Sequence, residues 1–327
     1  MSATKAASGV AKAPKNSLVK TAGKKLKATG KKFWKTRFLF FLFLPGLIHY
    51  IMFKFVPMWG VRLAWYKYSI FRGWEGSTFV GWKNFQIIFE NPVWWKYTLN
   101  TLALGAQSVF ISFPVTILFA LLLNEIRNMK FKRVVQTISY IPHFVSTVVL
   151  VAMMRQLTDP NTGAINLIIE AFGGEKRSFF LYSQYFRPMY LISGLWQGLG
   201  WGTIIYLAAI AGVDPGLYEA ARLDGAGRWR QMWNITIPSI MPTVVTMFIM
   251  QVGHILGDSM EKVLLMQEPS TFDVSMTLST WSYQIGLTGN RDFGLSTAIG
   301  LCTSVVNLFM VLTANTISKK VTDSGIF

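Results

Sequence analysis

The sequence is poor in the residues on which most enzymes depend. It holds a single cysteine, Cys302, so no intrachain disulfide can form, and only three histidines, too few and too scattered for a zinc enzyme. No glycine-rich stretch matches the phosphate-binding pattern G-x-x-x-x-G-K-[ST], and no Ser/His/Asp arrangement can be nominated. These absences predict a non-catalytic chain that binds no metal and no cofactor of its own.

Charge is scarce as well. Only 14% of the 327 residues are charged whereas 52% are hydrophobic, a composition typical of a membrane protein. Six apolar stretches approach or exceed the roughly 20 residues that cross about 30 Å of hydrocarbon. The predicted fold is therefore an all-α integral membrane protein with six transmembrane helices, at residues 38–56, 98–123, 134–157, 189–213, 241–261 and 295–317.

Acidic residues are fewer than basic ones, and the distribution of Lys and Arg along the chain sets the expected orientation. Residues 1–37 carry eleven Lys and Arg and no Asp or Glu. Counted alternately from that tail, the inside segments hold 20 basic residues and the outside loops 10. The positive-inside rule thus predicts cytoplasmic N and C termini. The expected organisation is a flexible basic tail (1–37), a transmembrane domain (38–320) and a short cytoplasmic tail (321–327).

The basic tail has two readings. It either lies along anionic lipid headgroups or is a solvated, disordered leader that only fixes the topology. The net charge of +17 comes mostly from this tail and the inside loops. Membrane lipid is therefore an expected partner, and nucleic acid is not.

A polar segment, residues 214–242, separates the fourth and fifth predicted spans. The pair Asp214–Pro215 predicts a helix start, because a carboxylate caps free N–H groups and proline suits the first helical position. Asp224–Gly225 should break this helix, and a second short helix, Arg228–Trp233, should end near Pro238. A polar helix pair on the inner side suits docking onto another protein. The alternative is an ordinary cytoplasmic connector.

This segment resembles the signature loop of the permease subunits of bacterial ABC importers, in which Glu-Ala-Ala, Asp-Gly-Ala and Ile-x-Leu-Pro recur in order. Only the leucine departs, replaced by Ile237. The resemblance implies that the loop docks into a cleft on an ATP-hydrolysing subunit, where its glutamate pairs with a basic residue. The matching positions are Glu219, Ala220, Ala221, Asp224, Gly225, Ala226, Ile235, Ile237 and Pro238, and Arg222 joins them as an expected coupling residue.

The resemblance extends over about residues 38–320. Residues 79–101, 163–169 and 204–226 resemble permeases of carbohydrate importers. Near the C terminus, TWSYQIGL, STAIGL and ANTISKK resemble a subgroup that handles polysaccharide fragments, including alginate and pectin-derived oligosaccharides. The overall match is close to the first permease subunit of the bacterial alginate importer.

The family implies a function and a set of partners. The expected protein is a multi-pass permease of the bacterial inner membrane that moves an oligosaccharide, best guess alginate or another acidic one, by alternating access. Expected partners are a second permease subunit, an extracytoplasmic solute-binding protein and two ATPase subunits that hold the ATP and Mg. An ion-gradient-driven secondary transporter and a membrane-embedded enzyme remain as alternatives.

Polar and aromatic side chains within the spans are candidates for the sugar path, since such groups are costly in lipid. Gln251, His254, Asp258 and Glu261 are expected to share one face of the fifth span. Alternatively, they line the outer vestibule or pair with a partner subunit. The further candidates are Tyr140 and His143 on the third span, and Trp196, Gln197, Trp201 and Tyr206 on the fourth. For the aromatic candidates the alternative is interfacial anchoring or helix packing. Gly194, Gly198 and Gly202 predict close helix packing.

Overall fold

The computed structural model describes residues 36–289, 291–322 and 325. Nearly all of the predicted basic tail, and most of the predicted C-terminal tail, lie outside these residues. The chain forms two compact units, Met1–Gly60 and Val61–Phe327. The described part of the first unit is a helix whose apolar side chains are largely exposed, with none buried. An apolar surface of this kind suits contact with lipid or with another membrane protein.

That first helix, α1 (Thr36–Trp65), contains the predicted first span, residues 38–56. After it, the second unit contains a two-stranded antiparallel hairpin, β1 (Tyr66–Ser69) and β2 (Gly73–Phe79). The remaining helices, in chain order, are α2 (Lys83–Glu90), α3 (Pro92–Glu125), α4 (Met129–Tyr140), α5 (Thr147–Leu157), α6 (Ala164–Ala171), α7 (Ser183–Ala211), α8 (Pro215–Leu223), α9 (Arg228–Val252), α10 (Met260–Met266), α11 (Phe272–Ser275), α12 (Leu278–Tyr283) and α13 (Phe293–Thr322).

Three of the long helices accommodate an internal proline in the same way. A π-turn ends two residues before Pro57 in α1, before Pro114 in α3 and before Pro238 in α9. Proline has no N–H to donate, and its ring clashes with the carbonyl four residues earlier. The wider turn relieves that clash, so each helix continues through its proline.

By length and composition, four of the described helices can cross a membrane, or six if each of two bent helix pairs counts as one span. The predicted span 134–157 corresponds to one bent pair: α4 with the 3₁₀ turn Ile141–Phe144, and then α5, at 101° to each other. Pro142 lies in the turn, and the Ser146 side chain accepts the Val149 N–H to start α5. This span is therefore broken, where the sequence predicted a continuous one.

Buried side chains hold both ends of α3. At its C-terminal end, Leu121 packs with Ile210 of α7 and with Met232 and Ile240 of α9. Nearer its start, Leu104 belongs to a cluster with residues of α5, α7 and α10. Gly200 of α7 also lies so close to α4 that an added Cβ would come within 2.1 Å of the Ser139 carbonyl oxygen. These contacts fix α3, α7 and α9 around the cavity described next.

Candidate functional site: a coupling segment and a membrane cavity

The polar segment before α9 folds as its sequence predicts at its start and at its break. Asp214 caps α8, its Oδ1 accepting the Gly216 N–H at 2.9 Å. Gly225 has a φ of +75°, the left-handed conformation that glycine adopts without strain. The Ala226 N–H then donates to the Ala221 carbonyl at 2.8 Å, which closes the end of the helix.

Helix α8 carries exposed charges and is also tied to α9. Glu219, Arg222 and Asp224 are exposed, and no ion pair forms at any of them among the residues that the structure describes. The Tyr218 hydroxyl lies 2.9 Å from Thr236 Oγ1 in a hydrogen bond. The predicted coupling residues Ala220 and Gly225 are also exposed, whereas Ala221 and Ala226 are half-buried.

The second half of the segment differs from the prediction. The expected short helix ending near Pro238 is instead the first part of α9, which runs without a break from Arg228 to Val252. Within its π-turn the Ile237 N–H donates to the Met232 carbonyl, five residues earlier, so Pro238 leaves the helix continuous. The start of α9 is therefore continuous with an apolar span.

A polar cavity of about 690 Å³ lies behind this segment. Its lining includes three arginines, Arg127, Arg222 and Arg228, and one carboxylate, that of Glu125. Arg228 Nη1 donates to the Glu125 carbonyl oxygen at 3.3 Å and lies 4.0 Å from its carboxylate. These two contacts join the start of α9 to the C-terminal end of α3.

A larger cavity, of about 880 Å³, lies between α3, α7 and α9. Four predicted path residues line it: Trp201, Tyr206, Gln251 and His254. The Gln251 amide donates to Ser108 Oγ of α3. A fifth candidate, His143, stacks flat on Trp201, with ring centroids 4.4 Å apart and planes 2° from parallel. The structure thus brings these candidates from several helices to one place.

Two further candidates, Trp196 and Gln197, do not line this cavity. Trp196 lines a separate, apolar cavity of about 430 Å³ between α5, α6 and α7. The Gln197 amide donates to the Val145 carbonyl oxygen at 2.8 Å, at the break between α4 and α5. Gln197 therefore satisfies backbone that the bend has freed. Of the predicted glycine stripe, Gly202 packs against Thr116, whereas Gly198 faces open space.

The predicted face of the fifth span is wrong beyond His254. Helix α9 ends at Val252, and residues 253–259 form a non-helical turn, so Asp258 and Glu261 do not continue its face. The physical reason is tertiary. The freed Leu256 N–H donates to Asn307 Oδ1 at 3.2 Å, and the freed Ser259 N–H donates to the Tyr190 hydroxyl at 3.2 Å. Asp258 accepts from Ser279 Oγ, and Glu261 is exposed on α10.

Sequence reasoning missed a basic residue close to this turn. Lys262 of α10 is only 4% exposed, and its ammonium donates to the Tyr190 carbonyl oxygen at 2.9 Å. The same ammonium lies 4.5 Å from the centroid of the Tyr190 ring. Its signal in the sequence was a lone lysine at the start of the apolar stretch VLLM. Arg187, one turn before Tyr190 on α7, was also overlooked.

Across the described part of the chain, no group of three His, Cys, Asp or Glu side chains could hold a metal ion. Residues 112–323 match the family model of the binding-protein-dependent transport system inner membrane component. The chain belongs to this family. As a member, it is a multi-pass protein of the inner membrane.

Several relatives of this chain are permeases of saccharide transport systems. The chain is 44% identical to the polygalacturonan/rhamnogalacturonan transport system permease protein YteP of Bacillus subtilis, over 90% of this chain and 92% of YteP. It is 27% identical to the arabinooligosaccharides transport system permease protein AraP of the same organism, over 86% and 87%. A crystal structure of a bacterial alginate ABC transporter in complex with alginate pentasaccharide-bound periplasmic protein contains a chain with TM-score 0.82 and 34% identity, covering 90% and 99%. The protein is a permease subunit of an oligosaccharide ABC importer.

Proposed function

We propose that this permease carries acidic oligosaccharides, fragments of polymers built from uronic acids such as polygalacturonan or alginate. The observation that carries the proposal is the cavity between α3, α7 and α9, whose third wall, α9, is continuous with the exposed coupling segment. The relatives with the highest similarity above are a polygalacturonan permease and an alginate importer chain. Both polymers consist of sugars with a carboxylate on each unit.

The cavity has the chemistry that a sugar needs. The Trp201 ring, on which His143 stacks, offers an apolar flat surface to sugar C–H groups, while Gln251, Ser108 and Tyr206 offer hydrogen-bonding groups. One chain supplies this wall. A second, similar permease subunit is proposed to supply the facing wall and so complete the path.

The coupling segment is proposed to receive the movement of the ATPase subunits. Glu219, Arg222 and Asp224 form a polar surface that we assign to a cleft on an ATPase subunit in the cytoplasm; two such subunits hold ATP and Mg. Because α9 is unbroken from Arg228 to Val252, movement at its first turn displaces the cavity wall formed by Met247, Met250 and Gln251. Closure of the ATPase pair would thus switch the cavity between outward- and inward-facing states.

The opposite side of the membrane is proposed to receive a solute-binding protein. The segment between α5 and α7, residues 158–182, is ordered by Asn166, which is fully buried. Its amide donates to the carbonyl oxygens of Thr158, Asp159 and Arg177, and its Oδ1 accepts the Arg177 N–H at 2.9 Å. A rigid outer loop of this kind suits docking without a large ordering cost.

The test uses the complete complex in proteoliposomes with its binding protein. Uptake and ATP hydrolysis are measured with oligogalacturonates, alginate oligosaccharides and neutral oligosaccharides of equal length. We expect ATP-dependent uptake that acidic oligosaccharides stimulate. Stimulation by neutral sugars alone would overturn the acidic assignment, and uptake driven by an ion gradient without ATP would overturn the importer mechanism.

Glu219→Ala tests the coupling role within the same assay. Because Glu219 is exposed, its loss should leave the fold intact and lower ATP-driven uptake by roughly tenfold or more, within the usual range of coupling energies. Glu90→Ala, at an exposed glutamate at the end of α2, serves as the control and should transport normally. Equal uptake by the two variants would argue against docking through Glu219.

A further inference from the structure

Lys262 is a buried cation without a buried anion beside it. Its side chain is almost wholly enclosed, and its hydrogen bond goes to a neutral carbonyl, that of Tyr190. No carboxylate of the described residues lies within 4 Å of its ammonium. Burial lowers the pKa of Lys262 to about 8. An enclosed charge is unfavourable unless an opposite charge compensates it, so this position favours an anion that the described chain does not supply.

The ammonium stands directly behind the wall of the large cavity. Gly194 of α7 lines that cavity. A Cβ built on Gly194 would lie 3.4 Å from Lys262 Nζ, its nearest neighbour. Glycine at this position therefore places no side chain of α7 against the ammonium.

A second cation lies on the same face of α7, since residues 187, 190 and 194 are three and four positions apart. Arg187 Nη2 donates to the neutral amide oxygen of Asn100 at 3.0 Å, and its buried Nε has no hydrogen-bond partner. Asp258 is the acidic residue of the adjoining turn. One of its oxygens accepts from Ser279 Oγ, and the other is buried without a partner.

We propose that the Lys262 ammonium, which lies against Gly194 of the cavity wall, binds the carboxylate of a uronic acid unit and gives the permease its preference for acidic over neutral oligosaccharides. This inference rests on the proposed function and assigns its specificity to one group. Arg187 adds positive potential farther along α7. The hydroxyl and amide groups of the cavity remain available to either class of sugar.

The experiment compares a trigalacturonate with its fully methyl-esterified form, which keeps the sugar and removes the charge. Uptake of each is measured in proteoliposomes that contain the complete complex and the same binding protein. For Lys262→Met we expect the acidic-to-neutral uptake ratio to fall about tenfold, the size of one charge-assisted hydrogen bond. Lys262→Arg should keep most of the ratio because arginine keeps the charge.

Gly194→Ala provides an independent variant that leaves the lysine in place. Its methyl group would lie 3.4 Å from the ammonium and crowd an anion bound there, so the ratio should fall in the same direction. Gly300→Ala is the matched control: Gly300 is a helical glycine of α13 with no atom within 4 Å of an added Cβ. Its ratio should equal that of the wild type.

Each outcome decides the matter. A lower ratio in both Lys262→Met and Gly194→Ala, with the ratio kept in Lys262→Arg, supports the inference. Equal losses for the acid and the ester would show a purely structural role and overturn it, as would an unchanged ratio in both variants. If Lys262→Met does not fold, Gly194→Ala decides alone. Absence of ATP-driven uptake of either sugar by the wild type would instead refute the proposed function.

Discussion

The chain leaves helical geometry on both sides of α9, and the two departures are built differently. Before α9, Asp214 starts α8 and Gly225 ends it, each through bonds to residues within five positions. After α9, the turn 253–259 is held by partners more than 50 positions away, Asn307 and Tyr190. The first break is encoded locally, whereas the second depends on the packed bundle. The substitutions below test whether this difference is real.

The turn after α9 should be the more fragile of the two. Gly105 of α3 lies against it, and an added Cβ would come within 1.8 Å of the Ile255 carbonyl oxygen. Backbone on both sides leaves little room to adjust, so Gly105→Ala should destabilise the protein by about 3 kcal/mol. Thermal unfolding in detergent and limited proteolysis at residues 253–259 would detect it. Gly300→Ala is the control, and an unchanged melting temperature in Gly105→Ala would contradict tertiary control of the turn.

This contrast explains which parts of the structure could be predicted from sequence. Asp214–Pro215 and Gly225 identify a helix and its end, because capping and left-handed φ depend only on neighbouring residues. The path of the chain after Val252 could not be read in the same way. The apolar pattern continues there, and the hydrogen bonds that release the helix come from α7 and α13.

The prolines show the same limit of local sequence patterns, because here the pattern predicted a break that does not occur. Pro238 predicted a helix end, as proline usually does. In α9 a π-turn removes the clash and the helix continues, which the local pattern does not reveal.

The cavity residues show a similar limit. Trp201, Tyr206, Gln251 and His254 were individually recognisable as polar or aromatic groups in apolar spans. Their meeting at one cavity depends on how α3, α7 and α9 pack.

Local encoding of the first break predicts a smaller and more confined effect when its signal is removed. Asp214→Ala deletes the cap of α8 and should cost about 1 kcal/mol of helix stability. Asp214→Asn retains a capping oxygen and should behave like the wild type. Hydrogen exchange at the amides of α8 measures the difference. Faster exchange that spread through α9 as well would indicate that this break, too, depends on the bundle.

Among the residues that the structure describes, one side-chain hydrogen bond joins α8 to α9, between the Tyr218 hydroxyl and Thr236 Oγ1. Tyr218→Phe keeps the ring and removes the hydroxyl, so a loss of about 1 kcal/mol is expected. A double-mutant cycle with Thr236→Val isolates the pair, since each single change removes the same bond. The two losses should be less than additive. Full additivity would mean that the hydroxyls contribute separately and that α8 is tied to α9 by other contacts.

The smallest expected effect is the pH dependence of the acidic-to-neutral uptake ratio, which depends on Lys262 next to the turn 253–259. Below its pKa of about 8 Lys262 is charged, and as the pH rises through that value it loses the charge. The acidic-to-neutral uptake ratio should therefore fall severalfold between pH 7 and pH 9. Arg155 and Glu268, which lie near Lys262, pair with each other at 2.7 Å. The titratable and charged groups on its own helix and on the elements packed around it include Tyr190, Arg187, Asp258, Glu261, Arg155, Glu268 and Tyr283.

Lys262→Arg separates this titration from that of the other groups. Arginine stays protonated over the whole range, so its uptake ratio should be flat between pH 7 and pH 9. A ratio that falls equally in the wild type and in Lys262→Arg would assign the pH dependence to another group, such as one on the binding protein. A fall that is confined to the wild type would place the charge-selective step at Lys262 of α10, directly after the turn that the bundle, and not the local sequence, holds in position.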